Sequence, residues 1–571
     1  MNGERPTVSR SVDPLARCAS WGLAGVLLVA LTLRLWGITF GLPYVEHPDE
    51  PFWVSTILKM IKSGDPNPHD FIYPSFYYYL NAFAYLAYYA IGRLFGVFHG
   101  LADLVEPVLL IGGSGKTTLP ALFLIGRSIS VALGAGTAAL TYDVGRRFTG
   151  FVLGGVLAGL LAAVSPVLVA NNRYLIPDGA VAFFTTLALW AAWGIFERGR
   201  TRDYLLAGLA VGLAVGTKYN AAPFILAIIL AHFLRGSRRG LRDWRLYAAL
   251  ALSGAAFLVT TPYALLDFRT FMNGAFIDVR HYTGGHAGNT GNSLLWYLDY
   301  FWRTEGPVLA LAAAGILWGI HKESGHLLRF GAERPERSGG VVPATQSNAL
   351  RAERSPGEVV SFDRTLSDLL YRRARGTILL AVTTLVYLLF IGVFAVHAMR
   401  TALPLIPLFA LLAASWTSSF APAAGVERAP IHLAAVATLV AITLAFPLAG
   451  TVRDTVRLTT PDSLDTAREW IEANIPAGAH IGVESYAPWI DPQKYVIQGF
   501  YKLNDHPPEW YVSEGYDYLV FSQAMFRRFY ADPAEFAAEI AHYEVLFSAF
   551  AETRVFTDGG YEVRVYRVPR P

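Results

Sequence analysis

Three stretches of this chain, 21–33, 153–170 and 433–448, contain no charged residue. With their apolar flanks, each approaches the ~20 residues an α-helix needs to cross a hydrocarbon core about 30 Å thick. The chain as a whole has the same character. Of its 571 residues 53% are hydrophobic and only 16% charged, against the roughly one quarter that covers a soluble surface. The expected fold class is therefore mainly α: a polytopic helical membrane protein.

Apolar segments at 20–40, 121–143, 152–171, 178–197, 203–219, 220–235, 246–265, 294–320, 376–396, 402–419 and 431–450 give about eleven spans. Lys/Arg-rich connections belong on the cytoplasmic side. They are the N-terminus with Arg5, Arg10 and Arg17, the pair Arg146-Arg147, and the stretches 198–202, 235–245 and 322–375. With an internal N-terminus and an odd number of spans, all of them fall inside, and the C-terminal part falls outside. A cleavable signal peptide is the alternative for the N-terminus. However, the first apolar run continues to about Leu42, interrupted only by Arg34, which is too long for a signal h-region. Segment 74–97 is apolar but tyrosine-rich, and counting it as a span would turn every later basic loop outward. It is read as a helix in the outer interface, where amphipathic rings sit well.

The resulting division is a cytoplasmic N-terminus (1–19), a transmembrane domain (20–450) and an extracytoplasmic α/β domain (451–571). The transmembrane domain includes a first outer loop (41–118) and a polar cytoplasmic insert (321–375). In the last domain, 463–475 has helical spacing behind a capping residue, 480–484 and 516–521 read as buried strands, 532–542 as a helix, and 561–568 alternates as a half-buried strand. The setting is the plasma (inner) membrane, crossed many times. Cys18 is the only cysteine, so neither an intramolecular disulfide nor a cysteine zinc cluster can form. The net charge of +3 says little about partners, and no nucleic acid is expected among them.

Residues 112–118, GGSGKTT, imitate a phosphate-binding loop but fail its spacing, because Leu110 stands where the first glycine is required. They are read as a flexible Gly/Ser turn before the second span. More informative is the sequence Glu46-His47-Pro48-Asp49-Glu50-Pro51 directly after the first span. Two adjacent carboxylates between prolines sit on a stiffened backbone. A carboxylate there can take a proton from an acceptor hydroxyl or amine; it can equally cap a helix. Isolated cations at outer ends of spans or in outer loops, Arg173, Lys218, Arg280 and Arg400, are not explained by the inside bias. Ionisable residues in apolar sequence usually have a partner. A phosphate at the membrane surface suits them, with Asp178 beside Arg173. The glycine-rich outer loop 267–292 carries His281 and His286. Together with Glu46, His47, Asp49 and Glu50 these offer oxygen and nitrogen ligands to a divalent metal, although spacing across loops is not metal-specific. No other cofactor is expected.

In order along the chain these features resemble the membrane glycosyltransferases of the GT-C fold, in the branch of protein O-mannosyltransferases and aminoarabinose (lipid A) transferases. Asp49-Glu50 resembles that family's acidic pair in the first outer loop. Residues 72–80, with Tyr73 and with Ser75 in place of a second proline, resemble its Pro-Pro-Leu-Tyr-Tyr segment. Residues 127–147 resemble its second span, Arg173 to Asp178 its Arg-x-x-x-Pro-Asp turn, and 208–220 its glycine-rich stretch ending in Thr-Lys. HAMRTALPLIP (397–407) resembles its Arg-Tyr-x-x-Pro element, with Thr401 where tyrosine is usual.

The resemblance implies a polyprenyl-phosphate-linked sugar as donor, an inverting transfer outside the cytoplasm, and a protein, lipid or glycan acceptor. Membrane lipids would surround the site. It makes Asp49 the catalytic base and Glu50 a residue that orients Asp49 or the acceptor. Arg127, Arg173, Lys218 and Arg400 become ligands of the donor phosphate, with Asp178, Tyr73, His281 and His286 in support. The competing reading is a transporter or flippase that grips lipid-linked anionic head groups without breaking a bond. A third is a relative that binds lipid-linked sugar without catalysis.

Overall fold

The computed structural model describes residues 14–110, 114–236, 240–285, 287–289, 291–332, 356–418, 420 and 430–570. Helix α1 (Pro14–Leu35) leads through strand β1 (Tyr44–Val45) to α2 (Asp49–Ser63) and α3 (Phe76–Leu94). Strands β2 (Val108–Leu109) and β3 (Gly115–Lys116) precede α4 (Pro120–Thr149), α5 (Val152–Val164), α6 (Pro166–Asn171), α7 (Pro177–Glu197) and α8 (Thr201–Thr217). Then come α9 (Ile225–Leu234), α10 (Trp244–Thr260), α11 (Tyr263–Leu266), α12 (Phe268–Gly284) and α13 (Ser293–Thr304). The last helices of this part are α14 (Pro307–Ala332), α15 (Pro356–Gly392), α16 (Leu405–Ser418) and α17 (Pro430–Leu458).

Long helices apolar enough to cross a membrane lie at α1, α4, α7, α15 and the α17 region; shorter apolar ones lie at α5, 219–234, α10, α14 and α16. The expected span 152–171 is broken at Ser165. Pro166 cannot continue the hydrogen-bond ladder of α5, and the Ser165 hydroxyl accepts from the Leu168 N–H to start α6. Helix α3 is not among the candidate spans. It buries Tyr77, Tyr78, Asn81 and Tyr85 on one face and exposes Phe83, Ile91 and Leu94.

The glycine-rich stretch before Lys218 has a packing cause. A Cβ on Gly208 would stand 2.3 Å from the Ala249 carbonyl, and one on Gly212 2.5 Å from that of Ser253. Small residues one turn apart let α8 and α10 approach backbone to backbone, as membrane helices do. That contact fixes the end of α8 and therefore Lys218.

Residues 115 and 116 are not the free turn the sequence suggested. As β3 they form the middle of a three-stranded antiparallel sheet, order β1-β3-β2. Residues 111–113 lie outside the described residues. The Lys116 ammonium sits 4.8 Å from the Trp489 ring and 5.5 Å from that of Tyr44, which ties the first outer loop to the C-terminal part.

That C-terminal part begins with α18 (Ser463–Asn474), capped by Asp462 in a reciprocal box with Asp465. Strands β4 (His480–Glu484) and β5 (Val496–Phe500), helix α19 (Pro508–Ser513), β6 (Tyr518–Ser522), α20 (Gln523–Tyr530), α21 (Ala537–Ala549), β7 (Ala551–Phe556) and β8 (Val563–Arg567) follow. The sheet order is β5-β4-β6-β8-β7, parallel from β5 to β6 and antiparallel beyond. Along β6, Val520 packs toward α18 while Leu519 and Phe521 pack toward α20 and α21, the period-two alternation of a strand. The helix expected at 532–542 begins only at Ala537, after a turn that the Phe536 N–H closes on the Asp532 carbonyl at 3.1 Å.

Candidate active site

The first turn of α2 contains both acidic residues, and a helix turns about 100° per residue. Asp49 and Glu50 therefore cannot face the same way. Glu50 points into the core, where it is fully buried. Its Oε1 accepts from Arg127 Nε (2.8 Å) and the Leu175 N–H (2.8 Å), and its Oε2 from Arg127 Nη2 (2.7 Å). Arg127 also donates to the carbonyls of Ile38 and Phe40, both at 2.9 Å, and stacks 3.9 Å above the Phe40 ring. Both side chains, expected at the substrates, are engaged inside the protein: Glu50 by Arg127 and the Leu175 N–H, and Arg127 by Glu50 and two carbonyls. They are a buried pair that holds α1, α2, α4 and the α6–α7 turn together.

Asp49 faces the opposite side. Its carboxylate pairs with the Arg400 guanidinium, and both side chains are about one third exposed (30% and 33%). The Asp49 N–H donates to His47 Nδ1 at 3.2 Å, and the His47 ring rests on Tyr174 with centroids 4.4 Å apart. Burial works to raise the Asp49 carboxyl, but Arg400, helped by His47 and Lys218, outweighs it and holds it below the ordinary 3.8. Burial lowers His47, against the pull of Asp49 and Glu50.

Lys218, at the end of α8, forms a buried ion pair with Asp178 at 2.7 Å, and its ammonium lies 5.7 Å from the Tyr73 ring. Asp178 sits in the first turn of α7, where a carboxylate also meets the positive helix end. The structure thus brings Asp49, Arg400, Lys218, Asp178 and Tyr73 into one charged cluster, in which Asp49 feels the charge of both cations. It does not bring Arg173 there. That guanidinium is 2% exposed and donates to the Leu33 carbonyl and the Thr455 hydroxyl, joining α1 to α17.

The metal expectation fails as a set. Glu50 is consumed by Arg127, His281 lies exposed on α12, and His286 is outside the described residues. Among the described residues Glu46 clusters instead with Asp462 and Asp465 of the C-terminal part. Arg468, paired with Asp465 and 3.7 Å above the Tyr44 ring, neutralises part of that cluster, and a guanidinium repels a cation. Burial first, then Asp462 and Asp465, push the Glu46 carboxyl up to about 8. The native state therefore keeps a proton that the unfolded chain releases near 4.5, so this contact weakens as pH rises from 4.5 to about 8. Glu46→Gln is expected to flatten that dependence. The wild-type Tm in detergent falls more between pH 6 and 9 than the variant's, and parallel curves refute the assignment.

Sequence reading missed Asp278. It lies half-buried on α12, and burial raises its carboxyl to about 6 against the pull of Lys218 and Arg400. Its one signal is a lone acid beside the cationic Arg280 in an otherwise apolar helical turn. Asn220, two residues beyond Lys218, was passed over as the end of a glycine-rich motif.

With the helices, the C-terminal α/β part and the charged cluster assembled this way, the comparison with solved structures is decisive for the architecture. The oligosaccharyltransferase of Archaeoglobus fulgidus aligns over 95% of this chain and 74% of its own, with a TM-score of 0.51 at 14% identity. The chain has the GT-C fold of membrane glycosyltransferases. The GT-C core is matched in sequence too. Residues 123–264 fit the family described as dolichyl-phosphate-mannose-protein mannosyltransferase. An uncharacterized protein of Aquifex aeolicus (strain VF5) is 28% identical over 241 residues, which take in 41% of this chain and 43% of that protein. Among further structures, ArnT from Cupriavidus metallidurans bound to undecaprenyl phosphate aligns over 96% and 98% of the two chains, at 14% identity and a TM-score of 0.47.

Proposed function

We propose that this protein is an inverting glycosyltransferase that moves a sugar from a polyprenyl-phosphate carrier to an acceptor at the outer membrane face, with Asp49 as general base. The observation that carries the reading is a partly exposed carboxylate paired with a guanidinium, with a second cation within electrostatic reach. The GT-C fold and the dolichyl-phosphate-mannose family match of residues 123–264 support it. The N-terminus lies in the cytoplasm and the C-terminal α/β part outside.

The chemistry follows from the arrangement. A donor phosphate competes with Asp49 for Arg400, since guanidinium binds phosphate bidentately. Lys218 spends one of its three N–H donors on Asp178 and keeps others for the same anion. Asp49, released from Arg400, accepts the proton of the acceptor hydroxyl or amine. The freed nucleophile attacks the anomeric carbon from the face opposite the phosphate. The carbon–oxygen bond to phosphate breaks, and its electron pair leaves on an oxygen held by Arg400 and Lys218. Cations aimed at the site where charge develops stabilise that step most.

The test is binding of bare polyprenyl phosphate to the protein in lipid nanodiscs. Arg400→Gln is expected to weaken it by about 10-fold or more, the loss of one charge-assisted contact. Binding unchanged in that variant, or undetectable in the wild type, would remove the donor assignment.

A further inference from the structure

Beside the Lys218 and Arg400 cations lie two buried hydrogen-bond acceptors without a partner in the protein. Lys218 takes Asp178 Oδ1, but Asp178 Oδ2, on a side chain only 1% exposed, has no partner. Asn220 donates its Nδ2 to the Tyr387 hydroxyl at 3.1 Å, and its Oδ1 is buried with no partner. Tyr387 donates in turn to the Thr401 carbonyl at 2.9 Å, which ties Asn220 to the wall that carries Arg400.

A half-buried carboxylate, Asp278 on α12, adds a further acceptor that is not itself an orphaned buried atom. Residues 274, 278 and 282 share one face of α12. Gly274 packs against the Phe71 backbone, where a Cβ would come within 2.7 Å. One end of that face is thereby pinned, and the Tyr282 carbonyl, accepting from the Val396 N–H at 3.0 Å, pins the other. Between them the Asp278 carboxylate is held half-buried within electrostatic reach of Lys218 and Arg400.

A buried acceptor without a donor is rare and asks for an explanation. The ionised phosphodiester of a lipid-phosphate sugar cannot supply one, because it offers acceptors only. What satisfies cations and acceptors side by side is a molecule that carries hydroxyl donors next to a phosphate. We propose that Asp178, Asn220 and Asp278 form a subsite for the hydroxyl groups of a sugar ring joined to the lipid phosphate, and that this subsite selects the donor sugar. This rests on the reading of Arg400 and Lys218 as the phosphate-binding pair.

Asp178 is unsuitable as a probe, because its loss strands Lys218. Asn220→Leu and Asp278→Leu each remove the acceptor oxygens and leave the cations intact. The experiment compares bare polyprenyl phosphate with its hexose, pentose, amino-pentose and N-acetylhexosamine conjugates, binding to the full chain in nanodiscs. The wild type is expected to bind at least one conjugate about 10-fold tighter than the bare lipid. Both variants bring that ratio within about 2-fold while keeping affinity for the bare lipid, which also reports that they fold. Asn220→Asp, which retains the acceptor oxygen, keeps the preference. Equal binding of all lipids by the wild type, or a preference that survives in both variants, overturns the subsite. Failure of the wild type to bind bare polyprenyl phosphate overturns the phosphate reading instead, and is told apart by that arm alone.

Discussion

Asp49→Asn is expected to reduce sugar transfer by about 10³-fold while leaving the affinity for polyprenyl phosphate within a few-fold of wild type. The substitution preserves shape and removes the ability to take a proton. Two other carboxylates beside it are already engaged. Glu50 faces the core with both oxygens occupied, and Asp178 is bound to Lys218. The pH profile gives an independent check. In the empty site Arg400 holds the Asp49 carboxyl below the ordinary 3.8, so the base form is present across the neutral range and is lost only toward acid. Once the donor phosphate draws Arg400 away, the carboxyl loses that support and its pKa rises. The acid limb of kcat, which reports the bound state, should then lie at higher pH than the limb of kcat/KM, which reports the free enzyme. Turnover near wild type in the variant would end the general-base assignment. Coincident limbs would mean that Arg400 stays on Asp49 during the reaction.

The transmembrane part was legible because lipid as a solvent leaves few options. Uncharged runs of helix length mark apolar helices. The period-two pattern of β8 and the capping residues of α18 likewise reached the sequence surface. Edge strands did not. β5 and β7 are largely exposed, so no apolar alternation marks them. In the site, residue types were readable and pairings were not. Arg173, Arg127, Lys218 and Arg400 look alike in sequence, since each is a cation in apolar context. Their roles divide by long-range contacts: Arg127 meets Glu50 77 positions away, Arg400 meets Asp49 351 positions away, and Arg173 meets Thr455 282 positions away. Only the fold decides those partners. Glu46 was misassigned for the same reason, because its neighbours Asp462 and Asp465 belong to the other end of the chain.

The largest effect on stability should come from the residue beside the base. Glu50→Ala leaves the Arg127 guanidinium, itself 1% exposed, without its counter-charge. Breaking a buried pair from one side costs about 3–5 kcal/mol, a large share of the roughly 5–15 kcal/mol that holds a domain folded. The variant is therefore expected to lose most of its monodisperse yield and to melt well below wild type, whereas Asp49→Asn keeps the wild-type Tm. The converse substitution, Arg127→Met, strands Glu50 with only the Leu175 N–H as partner. Removing both charges together, as Glu50→Gln with Arg127→Met, should recover part of the loss, because the remaining cost is packing and not an unpaired charge. Size-exclusion profiles and thermal denaturation in one detergent suffice to measure all four proteins against wild type. Two adjacent acids on one helical turn would then separate cleanly, one lost to chemistry and one to folding. A well-folded Glu50→Ala with wild-type Tm and a raised KM for the acceptor would instead place Glu50 in the substrate site and require the Arg127 pairing to open there.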